Sequence, residues 1–336
     1  MIVRDVLIVG AGPAGLAAAI AAARTGLSYL VVEKGALVNT VFHYPTNMVF
    51  FTTPELLEIG GLPFVTPHGK PTRVEALNYY RRVVEACRLD VQLGEEVTRI
   101  AEDADPDGHR VLSVETRSER GVRRIQHARS VVLATGAFDK PNTIGVPGED
   151  LPHVSHYYTE AHPHYRKRVV IVGGQNSAAE AALELFRAGA DVTLVHRRAR
   201  LGDTIKYWVR PDIENRIQEG SVKARFEATV TEIRPTSVVI EKGGATEELP
   251  ADAVLLLTGY RSDTELFDRA GIEYDPATFA PRHDPETLES NVRDLFIIGA
   301  AITGRNSGKI FIENGRFHGE QVVATIARRL AARDGG

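Results

Sequence analysis

The chain has 336 residues, 43% of them hydrophobic, enough for two domains of ordinary size with their own cores. A formal charge of −4, from 40 basic against 44 acidic residues, excludes a broad nucleic-acid footprint. One cysteine, Cys87, excludes an intrachain disulfide and a C-x-x-C redox pair, and no apolar run reaches the roughly 20 residues that span a bilayer.

The first elements begin at once. Val6 to Val9 is a continuous β-branched and apolar run, the pattern of a strand buried on both faces. Gly10, Gly12 and Gly15 follow as G-x-G-x-x-G, with Pro13 and Ala14 between them, and Leu16 to Ala23 is Ala-rich and helix-favouring. Strand, glycine turn and helix make a phosphate cradle. Gly10 permits the turn, Gly12 lets a pyrophosphate approach the backbone, and Gly15 lets helix and strand pack closely. The helix start presents unpaired N–H groups and a positive dipole end to the anion. A second strand, Tyr29 to Val32, ends in Glu33, 23 positions after Gly10. A carboxylate at that spacing accepts hydrogen bonds from both ribose hydroxyls of an adenosine. The segment before Gly10 carries Arg4 and Asp5, which suits no signal peptide and points to a soluble cytoplasmic protein.

Lys34 to Phe64 is rich in aromatics and turn residues, among them His43, Tyr44, Asn47 and Phe50, and offers a surface for something flat and partly apolar. Thr72 to Arg88 reads as an amphipathic helix capped by Thr72 with Glu75 three residues on, and Cys87 near its end reads as a small buried apolar residue. Val97 to Ala101, Val111 to Thr116 and Val122 to Gln126 suggest a small antiparallel meander. Val131 to Gly136 reads as a separate buried strand ending in the small-residue turn Ala134-Thr135-Gly136. The histidines 153, 156, 162 and 164 lie in a proline-bounded stretch that reads as a surface connector, with no metal site.

The opening pattern then recurs. Val169 to Val172 is followed by Gly173-Gly174-Gln175-Asn176-Ser177-Ala178, an Ala-rich helix, and the strand Val192 to Val195 closed by His196-Arg197-Arg198. His196 again stands 23 positions after the first glycine, so this is an internal repeat of a nucleotide-binding βαβ unit. The strand ends differ in charge. A carboxylate repels a 2′-phosphate, whereas guanidinium groups bind one through paired, charge-assisted hydrogen bonds. The first site therefore suits FAD or another unphosphorylated adenosine, and the second prefers NADPH over NADH. Gln175 replaces the second glycine and either crowds or hydrogen-bonds the pyrophosphate. Farther on, Pro235 to Glu248 reads as a hairpin, and Ala253 to Thr258 as a buried strand ending at Gly259. Leu295 to Ala300 is the last buried strand. Ser307 to Ala327 closes the chain as a helix beginning near Lys309, its N-terminus offering N–H groups to an anionic ring edge.

Through Gly10 to Gly15, Ala134-Thr-Gly136, Gly173 to Ala178 and His196 to Arg198 the sequence resembles the thioredoxin-reductase-like flavoproteins with two dinucleotide sites. Through His43-Tyr-Pro-Thr-Asn47, Leu57 to Gly60, Ile205 to Val209, Pro211 to Asn215 and Ile310 to Gly319 it is similar to the YpdA-like bacillithiol disulfide reductases. The resemblance implies FAD in the outer domain, NADPH in the inserted one, and reduction of a low-molecular-weight thiol disulfide. Two departures stand out: the chain lacks the C-x-x-C pair of thioredoxin reductases, and Ala14 stands where many of the disulfide reductases have a cysteine. Without that thiol no mixed disulfide forms there.

The expected fold is α/β with two Rossmann-like domains, a split FAD domain over 1–140 and 260–336 and an NADPH domain over 141–259. The FAD contacts expected are Gly10, Gly12, Pro13, Ala14, Gly15, Glu33, Lys34, His43, Asn47, Val97, Ala134, Thr135, Gly136, Gly299, Ala300, Lys309 and Ile310. For NADPH they are Gly173, Gly174, Gln175, Asn176, Ser177, Ala178, His196, Arg197 and Arg198, with Glu180 approaching the nicotinamide, and Gly259 is a further cofactor contact. No catalytic residue is named; His318 is a candidate proton donor only by elimination and otherwise reads as a core or interface histidine. The acceptor is a small-molecule disulfide or a small redox protein, and a homodimer or homotetramer is expected. The alternatives are a ferredoxin- or flavodoxin-NADP reductase, a non-catalytic FAD/NADPH redox sensor, and a flavin monooxygenase.

Overall fold

In the computed structural model, which describes residues 1–306 and 308–334, the opening apolar run is β1 (Val3–Val9), the Ala-rich stretch is α1 (Pro13–Arg24), and β2 (Tyr29–Glu33) pairs parallel with β1. The aromatic segment holds two short helices, α2 (Asn39–Phe42) and α3 (Pro54–Leu57), and its Phe50 and Phe64 are buried in the core that α1 shares with α4 (Arg73–Cys87). Thr72 caps α4 reciprocally: its hydroxyl accepts from the Glu75 N–H at 3.3 Å, and Glu75 Oε2 accepts from the Thr72 N–H at 2.7 Å.

The sheet continues with β3 (Val91–Leu93), β4 (Glu95–Ala104), β5 (Arg110–Ser118) and β6 (Arg123–Leu133), in the order β3-β2-β1-β6-β5-β4. One expectation is corrected here. The third meander strand and the strand after it are a single element. Residues 123–128 of β6 pair antiparallel with β5, and the rest of β6 runs parallel to β1. Residues 123–127 are exposed or half-buried, while Ser130 to Leu133 are buried, so one strand runs from a solvated part into a fully covered one.

The chain divides into two compact units, Met1–Lys140 with Tyr260–Gly336, and Pro141–Gly259, crossing at β7 (Lys140–Pro141) and later at β16 (Tyr260–Arg261). The second unit has a parallel five-stranded sheet of order β11-β10-β9-β15-β8. Its strands are β8 (Val154–Ser155), β9 (Arg168–Val172), β10 (Asp191–His196), β11 (Lys223–Phe226) and β15 (Ala253–Leu256). Helices α5 (Asn176–Arg187) and α6 (Arg210–Gln218) pack on it, and the expected hairpin is part of an antiparallel sheet of β12 (Thr229–Arg234), β13 (Ser237–Lys242) and β14 (Ala245–Pro250). The histidine-rich stretch is more than a surface connector: its β8 pairs with β15 at Val154 and Ser155, and His153, His156 and His164 are half-buried.

Back in the first unit, α7 (Thr264–Ala270) covers the sheet and β17 (Leu295–Ile297) pairs parallel with β6. The C-terminal helix does not begin near Lys309. A separate turn, α8 (Ile312–Gly315), precedes α9 (His318–Asp334), and Ser307 lies outside the described residues. The break brings two glycines to close approaches. A Cβ on Gly315 would lie 3.4 Å from Gly299 Cα, and one on Gly319 would overlap the backbone nitrogen of Ala18 in α1. No helix among the described residues is long and apolar enough to cross a membrane. Because Gly319 meets backbone that cannot yield, Gly319→Ala should destabilise the first unit by about 1–3 kcal/mol, read as a lowered denaturation midpoint; an unchanged midpoint would show that α1 and α9 can separate freely.

Candidate dinucleotide sites

The first cradle forms where β1, β2 and β6 end. Gly10 has φ +107°, its N–H donates to Val32 O at 2.7 Å, and a Cβ on it would sit 2.5 Å from Ala134 O. A Cβ on Gly15 would overlap the Gly10 carbonyl. Gly12 is different: a Cβ there would meet nothing within 4 Å, and it caps α1 with no side-chain hydrogen bond. The helix start is thus left clear for an anion. Glu33 is 7% exposed, its Oε2 accepting from the Ala11 N–H at 2.8 Å and its Oε1 from the Gly35 N–H at 2.9 Å. Burial pushes its pKa up, and those two backbone donors oppose the rise. Thr135 Oγ1 is buried beside this turn without a partner, and Gly136 has φ +70°. An open helix start, a buried carboxylate at the strand end and an orphaned hydroxyl fit a dinucleotide.

Around this cradle, Lys34 pairs with Asp139 at 2.7 Å; burial alone would lower its pKa, and Asp139 raises it. Ala14 meets Gly299, where a Cβ would lie 2.9 Å from Ala14 Cβ. The Gly299 N–H donates to His318 Nδ1 at 3.1 Å, which leaves the ring proton on Nε2, and burial, with His283, pushes the His318 pKa down. His318 is therefore a neutral imidazole fixed to the backbone. Ala300 follows Gly299 in a 3₁₀ turn, Ile310 packs under Gly315, and Lys309 lies exposed on a turn instead of at a helix N-terminus. The His43 ring bonds Asn39 O through Nδ1 at 2.9 Å, and His43 and Asn47 are exposed. Val97, on β4, packs partly buried against the core beneath β1 and β2.

The second unit repeats this geometry. The Gly173 N–H donates to Val195 O at 3.1 Å, and a Cβ on Gly173 would lie 2.6 Å from Leu257 O and 2.9 Å from Ala178 Cβ. Val195 and Leu257 stand where Val32 and Ala134 stand in the first unit. The difference lies one residue on. Where Ala11 donates to Glu33, Gly174 packs against the His196 ring, and a Cβ there would come 2.5 Å from His196 Nδ1. Burial, then Arg198 and Arg197, push the His196 pKa down, and its Nε2 is buried without a partner. Arg197 and Arg198 are exposed and form no ion pair among the described residues. A neutral imidazole with two available guanidinium groups fits a phosphorylated adenosine. Ser177 is exposed on the first turn of α5, and Gly259, with φ +89°, accepts from the Asn142 N–H at 2.9 Å.

The sequence reading missed one wall. Gln175 turns toward the loop around Gly202. Its side chain packs on Gly202 and accepts from the Thr204 hydroxyl, while Asn176 bonds the backbone of Thr204 and Lys206. The motif Ile205 to Val209 signals this loop in the sequence, but nothing there ties it to the glycine turn. Glu180, one turn into α5, lies near Glu184 and Lys206, and Glu184 Oε2 accepts from the Tyr158 hydroxyl. Burial, reinforced by Glu184 and opposed by Lys206, raises Glu180 to about 7.

The chain belongs to the pyridine nucleotide-disulphide oxidoreductase family, whose pattern matches residues 7–299. The bacilliredoxin reductase Bdr of Bacillus subtilis (strain 168) is 40% identical over 332 residues, 98% of this chain and 99% of that protein. Among solved structures, the bacillithiol disulfide reductase Bdr (YpdA) of Bacillus cereus matches at 39% identity with a TM-score of 0.94, over 97% of this chain and 99% of the other. The Staphylococcus aureus counterpart matches at 36% and 0.91, over 98% and 99%. The family resemblance read from the motifs and the expected α/β fold both hold, and the protein is an oxidoreductase that uses FAD and NADPH.

The buried Glu180 makes stability depend on pH. Its folded pKa of about 7 lies above the ordinary 4.5, so the folded state holds a proton that the unfolded chain releases, and stability falls as pH rises through that window. Glu180→Gln removes this loss. Its stability relative to wild type should rise by on the order of 2 kcal/mol between about pH 4.5 and pH 8, measured by denaturant titration; a constant difference would show that Glu180 stays ionised.

Proposed function

We propose that the first unit binds FAD, the second binds NADPH, and the enzyme reduces a low-molecular-weight thiol disulfide, bacillithiol disulfide above all. The observation that carries this reading is the contrast at two equivalent strand ends, with Glu33 buried on its glycine turn and Arg197 and Arg198 exposed beside theirs. Glu33 suits ribose hydroxyls and repels a 2′-phosphate, and the arginine pair attracts one. The substrate class comes from the kinship with bacillithiol disulfide reductases. Bound together, the nicotinamide supplies a hydride and the flavin the electron pair that a disulfide takes up.

The residues of this chain bind and orient. Gly10, Gly12 and Gly15 keep the α1 start open to a pyrophosphate, and Thr135 offers its orphaned hydroxyl. Neutral His318 holds the Gly299 backbone beside Ala14. With alanine at position 14, the acceptor takes its electrons without a protein thiol in between. Cys87 supplies none, since it lies partly buried at the end of α4 against the α1 core. A direct path of this kind also suits a ferredoxin- or flavodoxin-NADP reductase, the second reading. In keeping with the family resemblance, the enzyme acts in the cytoplasm as a homodimer or homotetramer.

Two measurements test the proposal. In rapid mixing, bound flavin should be reduced much faster by NADPH than by NADH, and Arg197→Ala with Arg198→Ala should erase that preference at a cost of roughly 1.5–3 kcal/mol per lost charged hydrogen bond. Equal rates in the wild type would overturn the cofactor assignment. NADPH oxidation should then be sustained by bacillithiol disulfide; turnover with ferredoxin alone would move the protein to the second reading.

A further inference from the structure

The second glycine motif departs from the first at Gln175, and the departure has a structural use. Gln175 caps α5, and Asn176 is the first residue of that helix. The first intrahelical bond runs from the Ala179 N–H to Gln175 O, so the N–H groups of residues 176–178 have no partner within the helix. Opposite them stands the loop from Gly202 to Lys206, tied down at five points. The Gly202 N–H donates to Gly174 O at 2.8 Å, and the Thr204 hydroxyl donates to Gln175 Oε1. The Asn176 side chain donates to Thr204 O at 3.1 Å and accepts from the Lys206 N–H at 3.0 Å. Arg210, beyond the loop, donates to Gly202 O at its first residue. Gly202 has no side chain at the spot where Gln175 packs, and a Cβ there would overlap the Gln175 amide.

Each of these bonds has a cost in backbone freedom, and together they fix one thing that the glycine motif alone lacks. They hold a cation-bearing segment beside the unpaired start of α5. Lys206 is close enough to Glu180 to act on it electrostatically. The Lys206 N–H is held on the Asn176 side chain, so the loop brings a lysine next to the first residue of α5, and a helix start with a cation nearby suits a phosphate.

We infer that Gln175 and Asn176 are a latch that holds the loop Gly202–Lys206 as the second wall of the NADPH cradle, with Lys206 engaging the pyrophosphate. Lys206 contacts the ligand; Gln175 and Asn176 act through it as positioning residues. The inference rests on the NADPH assignment above and adds to it that affinity is divided. The arginine pair reads the 2′-phosphate, and the latched loop reads the pyrophosphate, which the missing second glycine would otherwise have admitted by bare backbone.

Calorimetry on the FAD-loaded protein separates the two parts, with NADP⁺ as one probe and adenosine 2′-phosphate, which has no pyrophosphate, as the other. Lys206→Ala and Asn176→Ala should each raise the Kd for NADP⁺ by about tenfold while changing that for adenosine 2′-phosphate by less than about twofold, and Lys206→Arg should restore NADP⁺ binding. The unchanged binding of adenosine 2′-phosphate also shows that the variants are folded. If both variants bind NADP⁺ as the wild type does, or if both probes weaken together, the latch is overturned while the NADPH assignment stands. If the wild type binds neither probe, the assignment itself falls and the latch with it.

Discussion

Both halves of this protein depend on backbone meeting backbone where a Cβ does not fit. In the first unit Gly10 approaches the carbonyl of Ala134, the residue just past β6; in the second, Gly173 approaches the carbonyl of Leu257, the residue just past β15. Each glycine also donates to the residue before the last of the neighbouring strand, Val32 and Val195. These contacts draw three strand ends to one point and place the following helix start over it. Any side chain at Gly10 or Gly173 would push the strands apart, and the cradle would lose its floor.

On that shared floor the two sites are made different by a pair of residues that change together. Ala11 with Glu33 gives a backbone donor facing a buried carboxylate. Gly174 with His196 gives a ring lying on the turn, in the space an alanine Cβ would take. The exchange removes a negative charge and leaves the arginines after it uncompensated. Burial acts on the two groups in different ways: it raises the Glu33 pKa, which two N–H donors oppose, and it pushes His196 toward its neutral form.

The glycine turns, the capping box at Thr72 and the duplicated spacing were all legible because each is local: strand, turn and helix follow one another within about thirty residues. Where the reading went astray, the cause was tertiary. Arg123 to Leu133 looked like two strands because its two halves face different neighbours. The C-terminal helix was placed near Lys309 because nothing in the local pattern shows that Gly315 and Gly319 must each touch a distant backbone. The histidine-rich stretch looked like linker because β8 has only two residues and its partner lies about a hundred positions away.

The sequence by itself determined that there are two dinucleotide cradles and how they differ in charge, since both follow from residue type at fixed spacing along a continuous βαβ unit. Only the tertiary structure decided what closes each cradle. Asn176 and Gln175 bond the loop around Thr204 across 28 and 29 positions, His318 accepts from Gly299 across 19, and Thr135 is buried without a partner. Side-chain hydrogen bonds of that kind depend on where packing brings two segments together, and no periodicity along the chain encodes it.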